Sequence, residues 1–509
     1  MPLPDWLDPL FTADEMRAAD AWAIEEQGVP SLDLMERAGI GLARVTAAAA
    51  GGDGPIRVVC GKGNNGGDGL VAARVLREEG REVEVLAVGD FGELRGDALA
   101  NLERLQGTGP EPFEPERLRG SAAIVDAMLG TGFEGEPREP VRGAIEAING
   151  CDAPVVACDV PSGVNASTGE IEGDAVRARA TATFHGSKIG LHVAPGTFHS
   201  GRVETIEIGI PRGAPGGATA GLIGDRVLDL YPHRTRDGSK FQSGTIVIAG
   251  GAAGYTGAPC MAALGAQRTG AGYVQLAVPE SAQQAVALRL LEAVTRGLPE
   301  HDGMHVPAGV EQVRELAGRA GAVVLGPGLG RSDGAREFAR QVARTVEAPL
   351  LIDADGLNAH VGAIETLRER PGPTILTPHA GELARLLDTE SDDVSAHRLE
   401  RAREAAEATG AIVVLKGDDT IVAQPGGGPV AISPGATAAL ATAGTGDVLS
   451  GAIGALLSKG LDAFEAAAAG VLTHARAGRV AAERLGADHV VAGDVIEALP
   501  AAFGARRTR

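Results

Sequence analysis

Several residue types are scarce in this 509-residue chain, and each scarcity excludes a class of protein. Aromatic residues make up 3% of the sequence, so the cores must be built from Val, Leu, Ile and Ala. The four cysteines, Cys60, Cys151, Cys158 and Cys260, are scattered, which favours buried thiols over disulfides or metal ligands. The sequence has no run of about twenty apolar residues, so we expect no membrane span.

Positive charge is also scarce. The formal net charge of −21 argues against binding to nucleic acids or to anionic membranes. Phosphorylated ligands would therefore have to be held by backbone N–H groups and a few local cations. The N-terminal residues lack the basic and apolar segments of a signal peptide, so we expect a cytoplasmic protein.

Glycine, in contrast, is abundant: the chain has 74 glycines, many of them in loops that follow short apolar segments. The alternation of strands, glycine loops and helices predicts an α/β protein, and its length predicts two domains. Residues 211–221 are rich in Gly, Pro and Ala and are typical of a linker, with a boundary near 213–225. We therefore predict two doubly wound domains, at residues 1–212 and 225–505.

Residues 12–50 predict two helices, with Ser31 as the N-cap of the second. Polar residues then follow three predicted strands of the N-terminal half. The strands at 56–60, 123–126 and 154–159 are each followed by a loop rich in glycine or serine. Because the carboxyl ends of parallel strands share one edge, their polar residues should line one rim. The residues of this rim are Asn65, Asp126, Asp159 and Ser162.

The rim residues also have simpler explanations. An Asn-Gly turn explains part of the loop at 61–69, but adjacent Asn64 and Asn65 offer the carbonyl oxygens that a hard cation or a sugar-phosphate needs. A single Asp at a strand end is usually a helix cap, whereas three polar strand ends in register indicate a site. Lys188 is a candidate for proton transfer or anion binding, or is an ordinary solvated lysine.

Four motifs of this half resemble those of the NAD(P)H-hydrate epimerase domain, over residues 12–212: LMERAG at 34–39, GNNGGDG at 63–69, DAMLGTG at 126–132 and DVPSG at 159–163. The resemblance implies a Rossmann-like fold that interconverts the R and S hydrates of NADH and NADPH. It implies K⁺ on Asn65, Asp126 and Ser162, and we assign proton transfer to Asp159 and Lys188. The implied substrate site comprises Asn64, Asn65, Gly66, Gly67, Asp68, Gly130, Thr131, Gly132, Phe133, Glu134, Gly135 and Glu136.

In the C-terminal half, the glycine-rich turn of TAGTGDVLSG, residues 442–451, opens a predicted helix with Asp447 in its first turn. Glycines let backbone N–H groups approach an anion, and the start of a helix favours negative charge. Asp447 is then either a base that takes a proton from a hydroxyl while the Thr445 and Gly446 N–H groups hold a phosphoryl group, or a plain complement to the helix dipole.

Other polar segments of this half follow strands that should share the same edge. His379 is either a polar helix cap or a substrate contact. Lys416 ends an apolar strand, where a buried ammonium needs an anion such as phosphate. The basic run at 233–240 is either a solvated loop or a phosphate clamp.

The segments TAGTGD, KGDDT, TPHAGE, DADGLN and GPGLG resemble those of the ADP/ATP-dependent NAD(P)H-hydrate dehydratase, a branch of the ribokinase-like superfamily, over residues 225–503. The resemblance implies that a nucleotide phosphorylates the ring hydroxyl and that loss of phosphate restores the reduced cofactor. Asp447 would be the base, and Mg²⁺ would accompany the nucleotide, for which we favour ADP. Ala258, Gly328 and His379 would contact the hydrate, and Lys416, Gly417, Asp418, Asp419, Thr420 and Gly446 the nucleotide.

Two other functions compete with this interpretation. One is a kinase for small vitamin-type alcohols, with an N-terminal domain that binds a ligand without catalysis. The other is a binding protein whose N-terminal domain is an interaction surface, although a degenerate site should lack some of the residues named above. Proteins that this chain resembles are often multimeric, so we expect a homo-oligomer.

Overall fold

The computed structural model describes residues 3–211, 213, 214 and 217–504. The chain forms two compact units, one of residues Pro9–Gly221 and one that combines Leu3–Asp8 with the residues from Leu222 onward. The predicted domain ends at residues 1, 212 and 505 lie outside the described residues, as do positions 215 and 216 of the predicted linker. The predicted domain bounds stay a prediction.

The strands that begin before residue 210 include the seven strands of the N-terminal sheet. They are β1 (Leu7–Phe11), β2 (Ile56–Cys60), β3 (Val83–Ala87), β4 (Glu111–Pro112), β5 (Ala123–Ala127), β6 (Val155–Cys158), β7 (Ala180–Phe184), β8 (Ser187–Lys188) and β9 (Arg202–Ile206). The helices are α1 (Ala13–Glu25), α2 (Ser31–Ala49), α3 (Asn64–Glu78), α4 (Gly96–Arg104), α5 (Val141–Asn149) and α6 (Thr197–Ser200).

This sheet has the strand order β4-β3-β2-β5-β6-β7-β9, and the pairs within it are parallel. Successive residues of the central strand β2 serve opposite faces, since Val58 packs in one hydrophobic cluster and Val59 in another. Strand order reverses between β2 and β5, and ligands bind at such a switch point in open α/β sheets. The Rossmann-like prediction for this unit is confirmed.

The predicted cap of the second helix is wrong. Helix α2 begins at Ser31 itself, with Pro30 at the N-cap position and no side-chain cap. Helix α1, in contrast, has a complete capping box between Thr12 and Glu15. Proline before the helix supplies a fixed backbone angle at the start of α2, so a hydroxyl cap is not what starts this helix.

The C-terminal unit contains the larger set of elements. Its strands are β10 (Ala220–Ile223, which begins before the unit boundary), β11 (Thr245–Ala249), β12 (Tyr273–Pro279), β13 (Val294–Leu298), β14 (Glu300–His301), β15 (Met304–His305), β16 (Ala322–Leu325), β17 (Leu350–Ile352), β18 (Thr374–Leu376), β19 (Ile412–Leu415), β20 (Ile421–Ala423) and β21 (Val430–Ile432). Its helices are α7 (Gly257–Arg268), α8 (Glu280–Arg289), α9 (Val310–Ala317), α10 (Asp333–Thr345), α11 (Asp355–Asn358), α12 (Ala380–Leu387), α13 (Ser391–Ala396), α14 (Arg398–Thr409), α15 (Thr445–Ser458), α16 (Ala463–Leu485) and α17 (Ala492–Ala502).

The main sheet of this unit runs in the order β13-β12-β11-β16-β17-β18-β19-β20-β21. The strands from β13 to β19 are parallel, and β20 and β21 continue the sheet with antiparallel pairs. The glycine and polar loops after the parallel strands therefore meet at one edge, as expected. The prediction of two doubly wound α/β domains is confirmed, although β13, β20 and β21 were not predicted.

Two features hold the core of the C-terminal unit together. Helices α7 and α15 approach closely because glycines lie between them: a Cβ added at Gly451 would lie 1.9 Å from the Ala262 carbonyl oxygen. Trp6, from the short N-terminal segment of this unit, is buried with its ring centroid 5.4 Å from that of Phe464. Residues at the two ends of the chain thus share one core.

The prediction of buried thiols is confirmed for three of the four cysteines. No helix in the described ranges is long and apolar enough to cross a membrane. The four cysteines are free thiols; Cys60, Cys158 and Cys260 are buried, and Cys151 is half-buried.

Candidate active sites

A cavity of about 1180 Å³ opens at the carboxyl edge of the N-terminal sheet. Ten of the predicted substrate-binding residues line it, namely Asn64, Asn65, Asp68, Gly130, Thr131, Gly132, Phe133, Glu134, Gly135 and Glu136. Gly66 and Gly67 are not part of the lining. A Cβ at Gly66 would lie 2.0 Å from the Gly61 carbonyl oxygen, so this glycine permits the tight loop that presents its neighbours.

The two residues predicted to transfer protons form a buried ion pair at this cavity. The Lys188 ammonium lies 2.6 Å from Asp159 Oδ1, and Lys188 is 1% exposed. Its Nζ also donates to Thr183 Oγ1 and to the Phe184 carbonyl oxygen, both at 3.0 Å. The alternative of an ordinary solvated lysine is therefore wrong.

Asp159 is held in an unusual conformation and charge state. Its φ of 67° lies in the left-handed region that few residues other than glycine adopt. Burial alone would raise the pKa of Asp159, but the Lys188 ammonium and hydrogen bonds from Lys188 and Thr131 hold it below its usual range. This carboxylate is therefore ionised at neutral pH.

The predicted cation ligands lie together beside the cavity. Asp126 is fully buried and accepts hydrogen bonds from Ser162 Oγ at 2.6 Å and Ser162 N at 2.8 Å. The Asn65 amide donates to the Leu129 carbonyl oxygen at 2.8 Å, and Leu129 N donates to Ser162 Oγ at 2.9 Å. Burial raises the pKa of Asp126 to about 6, although the Ser162 hydrogen bonds oppose this rise.

The carboxyl edge of the C-terminal sheet has a cavity of about 280 Å³. Among the predicted nucleotide-binding residues, Lys416, Gly417, Asp418, Thr420 and Gly446 line it. Helix α15 begins beside this cavity after Gly444, whose φ is 92°, and no side chain of the described residues caps its start. The first-turn N–H groups therefore remain available for an anion.

Lys416 has carboxylate partners in the structure. Its Nζ lies 2.9 Å from Asp353 Oδ1 and 3.7 Å from a Glu382 carboxylate oxygen. Asp353 is 1% exposed and also accepts a hydrogen bond from Ser450 Oγ at 2.7 Å. The side chain of Lys416 is 20% exposed, so the ammonium is accessible to a ligand as well.

Asp447, in the first turn of α15, belongs to the same charged group. Burial raises its pKa to about 7, with a further rise from the Asp353 charge, while Lys416 opposes it. A carboxylate with a pKa near neutrality is well matched to general-base catalysis at physiological pH.

Comparison with known proteins identifies the family. A family model described as NAD(P)H-hydrate dehydratase matches residues 246–501, and one described as YjeF-related protein N-terminus matches residues 31–190. A bifunctional NAD(P)H-hydrate repair enzyme of Salinibacter ruber is 42% identical over 97% of this chain and 95% of its own. The corresponding enzyme of Moorella thermoacetica is 37% identical over 96% of each chain. The chain belongs to the family of bifunctional NAD(P)H-hydrate repair enzymes.

The crystal structure of an ADP/ATP-dependent NAD(P)H-hydrate dehydratase from Bacillus subtilis, co-crystallised with ATP and Mg²⁺, is also similar to this member of the family. It is 28% identical, with a TM-score of 0.48, over 55% of this chain and 95% of its own.

Membership of the repair-enzyme family confirms the predicted activities. The chain is a bifunctional enzyme, an NAD(P)H-hydrate epimerase and a nucleotide-dependent NAD(P)H-hydrate dehydratase. The alternatives of a vitamin-type kinase and of a non-catalytic binding protein do not fit this membership. The homo-oligomer and the cytoplasmic location stay predictions.

The remaining residues predicted for the dehydratase site of this family member lie outside the smaller cavity. Asp419 forms a buried ion pair with Arg398, 2.8 Å apart, and thereby fixes the loop that carries its neighbours. Gly328 and Ala258 are adjacent, since a Cβ at Gly328 would lie 3.2 Å from that of Ala258. His379 caps helix α12 through its Nδ1, so the polar helix cap, one of its two predicted roles, is present. Its side chain is 56% exposed.

Sequence reasoning missed several charged residues of the two sites. Asp353 and Glu382 lay within quoted motifs but were given no role, although both contact Lys416. Asp20, in helix α1, lines the N-terminal cavity with Asp159 and Lys188 and was not considered. The amphipathic spacing of α1 was the available signal, because it places Asp20 beside a buried face.

Proposed function

We propose that the N-terminal cavity binds the hydrated nicotinamide ring and that Asp159 and Lys188 carry out its epimerisation. The buried ion pair between these residues supports the proposal, since it holds a carboxylate ionised where a proton must be accepted. The ten predicted substrate residues at the same cavity support binding there. The hydrated carbon bears a hydroxyl beside the ring nitrogen, so its configuration can invert when that hydroxyl leaves and water returns on the other face.

In the C-terminal unit, Asp447 takes the proton from the ring hydroxyl of the S hydrate as it attacks the nucleotide's terminal phosphoryl group. The observation that carries this role is the position of Asp447 beside the uncapped start of α15 and the Lys416 ammonium. The first-turn N–H groups and Lys416 stabilise the charge on the transferred phosphoryl group. The exposed Asp418 carboxylate, at the cavity, offers the hard oxygen ligands that suit Mg²⁺, which would neutralise phosphate charge.

The nucleotide donor can be tested with a mixed-epimer preparation of hydrated NADH. We expect ADP with Mg²⁺ to restore reduced-nicotinamide absorbance faster than ATP with Mg²⁺, with complete conversion of both epimers. The Asp159→Ala variant should stop at the S fraction. If the absorbance returns faster with ATP, the choice of ADP is wrong. If it returns with neither nucleotide, the result contradicts the dehydratase role.

Asn65, Asp126 and Ser162 form the proposed K⁺ site of the epimerase unit. Their oxygen atoms suit a hard cation, and Asp126 is a fully buried carboxylate with no ion pair to any described Lys, Arg or His. A bound cation would supply the missing countercharge and thereby stabilise the ionised carboxylate.

Potassium should therefore raise the melting temperature of the full chain relative to sodium at equal ionic strength, because a ligand stabilises the state that binds it. Asp126→Asn should lose this increase, whereas Asp174→Asn, an exposed change in the same unit, should keep it. Differential scanning calorimetry provides the measurement. Equal melting of the wild-type protein in the two salts would count against the site.

A further inference from the structure

One wall of the N-terminal cavity is a face of helix α1. Met16, Asp20 and Ile24 are spaced four residues apart, so they lie along one side of the helix, and all three line the cavity. The helix is fixed by the capping box at Thr12 and by buried Ala19 and Ala23. Asp20 is thus presented to the cavity by a regular element whose packing limits its movement.

Among the charged residues that line this cavity, four act on one another electrostatically, and the charges of these four do not balance. Asp20, Asp68 and Asp159 line it together with Lys188, so three carboxyl groups share one buried ammonium. Asp159 is the carboxylate that pairs with Lys188 directly. Two further negative charges in a desolvated space would repel each other, so at least one of the other carboxyls retains a proton near neutral pH.

The Asp159–Lys188 pair has no obvious proton to give. The three N–H groups of the ammonium correspond to its three bonds, to Asp159 Oδ1, Thr183 Oγ1 and Phe184 O. Asp159 is the acceptor in each of its contacts. Departure of a hydroxyl from carbon, however, needs a proton donor, because hydroxide is a poor leaving group. An acid group that is free of such bonds is better placed to supply this proton.

We propose that Asp20 is a catalytic residue of the epimerase site, the acid that protonates the departing hydroxyl of the hydrated ring. This inference rests on the proposed function of the cavity and adds a residue to it. Asp20 forms no hydrogen bond or ion pair within the described ranges, so its carboxyl group is available to substrate. It is half-buried, whereas Asp68 is 8% exposed, so Asp20 exchanges protons with solvent more readily.

The step balances without a further reagent. The proton of Asp20 passes to the hydroxyl oxygen, the carbon–oxygen bond breaks, and the lone pair of the ring nitrogen forms a carbon–nitrogen double bond as water leaves. Water then adds to the other face of that carbon, the double-bond electrons return to nitrogen, and the released proton passes to the Asp159 carboxylate. A proton returns from Asp159 to Asp20 through solvent in the cavity, and no group is oxidised or reduced.

The test compares Asp20→Asn and Asp20→Glu with the wild-type full chain. Interconversion of the R and S hydrates is followed by chromatography without nucleotide, and dehydration of the S hydrate is measured in the same samples. Asp20→Asn should lower the kcat of interconversion by about 10²–10⁴ with little change in KM, and Asp20→Glu should restore part of it. Asp14→Asn, an exposed change on the same helix, should match the wild-type protein.

The pH profile separates catalysis from a structural role. Burial raises the pKa of Asp20 to about 6, and the groups acting on it are Lys188, Asp159 and Asp68. An acid must be protonated to act, so wild-type kcat should fall about tenfold per pH unit above this value. The fall should be absent from the residual activity of Asp20→Asn.

Two results would overturn the role of Asp20: an unchanged kcat in Asp20→Asn, or a change confined to KM. Failure of the proposed function is a different result, in which the wild-type protein interconverts the epimers no faster than the spontaneous reaction. Unchanged dehydration and a cooperative melting transition at or above the wild-type temperature show that each variant is folded. If Asp20→Asn does not fold, Asp20→Ser takes its place in every arm of the test.

Discussion

Replacement of Asp447 by asparagine should abolish nucleotide-dependent dehydration and leave epimer interconversion at the wild-type rate. The amide keeps the shape of the side chain but cannot accept the hydroxyl proton, so we expect kcat to fall by about 10³ or more. Single-turnover kinetics on the S hydrate with nucleotide and Mg²⁺ measure the chemical step. Asp488→Asn, an exposed change in the same unit, is the matched control.

The direction of the pH dependence distinguishes a base from an acid at Asp447. Because its pKa is raised to about 7, the carboxylate is increasingly protonated below that value. The wild-type dehydration rate should therefore rise about tenfold per pH unit up to pH 7 and level off above it, the opposite of the trend expected for Asp20. A dehydration rate that falls as the pH rises through 7 would contradict the assignment of Asp447 as the base.

Replacement of Asp447 by asparagine should stabilise the folded protein, although it abolishes dehydration. A raised pKa means that the folded state disfavours the charged form, so this site costs stability as the pH rises from the unfolded value of 3.8 through about 7. Asp447→Asn removes that cost, and the variant should melt at a higher temperature than the wild-type protein at pH 8. The difference should shrink as the pH falls below 7 and disappear well below the unfolded value of 3.8, where both states of the wild-type protein are protonated at this position.

The buried pair of Asp159 and Lys188 should behave as a unit in a double-mutant cycle. Asp159→Asn leaves an unpaired ammonium and Lys188→Met leaves an unpaired carboxylate, so each should lower the free energy of unfolding by about 3–5 kcal/mol. The double variant has no buried charge there and should recover most of that loss. All three variants should lose epimerisation, because recovery of packing does not restore a proton acceptor.

Urea unfolding in a Trp6→Phe background gives the measurement, since the sequence has two tryptophans and Trp22 then reports on the N-terminal unit alone. Additive losses in the double variant would show that the two side chains do not interact. The folded pKa of Asp159 is lowered, so the wild-type pair stabilises the unit above the unfolded pKa and loses this effect as the pH falls through the folded one. The double variant should lack this acid dependence.

Sequence patterns predicted the parts of the fold that depend on neighbouring residues. Val and Ile runs such as those of β2 and β11 mark buried parallel strands, and their bounds agree with the structure. The short strands β20 and β21 were missed because the prediction followed the alternation of strands and helices, and no helix separates β19, β20 and β21. The glycine-rich loops were placed at the correct edge of each sheet, because the carboxyl ends of parallel strands lie at the same edge.

Pairings between distant residues could not be predicted in the same way. Asp159 and Lys188 were each proposed, but nothing in the spacing indicates that they touch. Lys416 was expected to need an anion, and its partner Asp353 lies on a different strand end. Asp20 occupies a helix position where an acidic side chain is usually solvated, and what gives it a role is the cavity formed by other elements.

The packing of Trp6 beside Phe464 makes the epimerase unit an insertion within the dehydratase unit. During synthesis, the segment Leu3–Asp8 must wait until α16 has been made before its aromatic ring is covered, whereas the residues between can complete their own core sooner. Cleavage of the chain near Gly221 would therefore give an N-terminal fragment that keeps its seven-stranded sheet. The C-terminal fragment would lack Trp6, which leaves a gap beside Phe464. Fragments of the C-terminal unit should include residues 3–8, supplied in cis or as a peptide, to recover the stability of the whole chain.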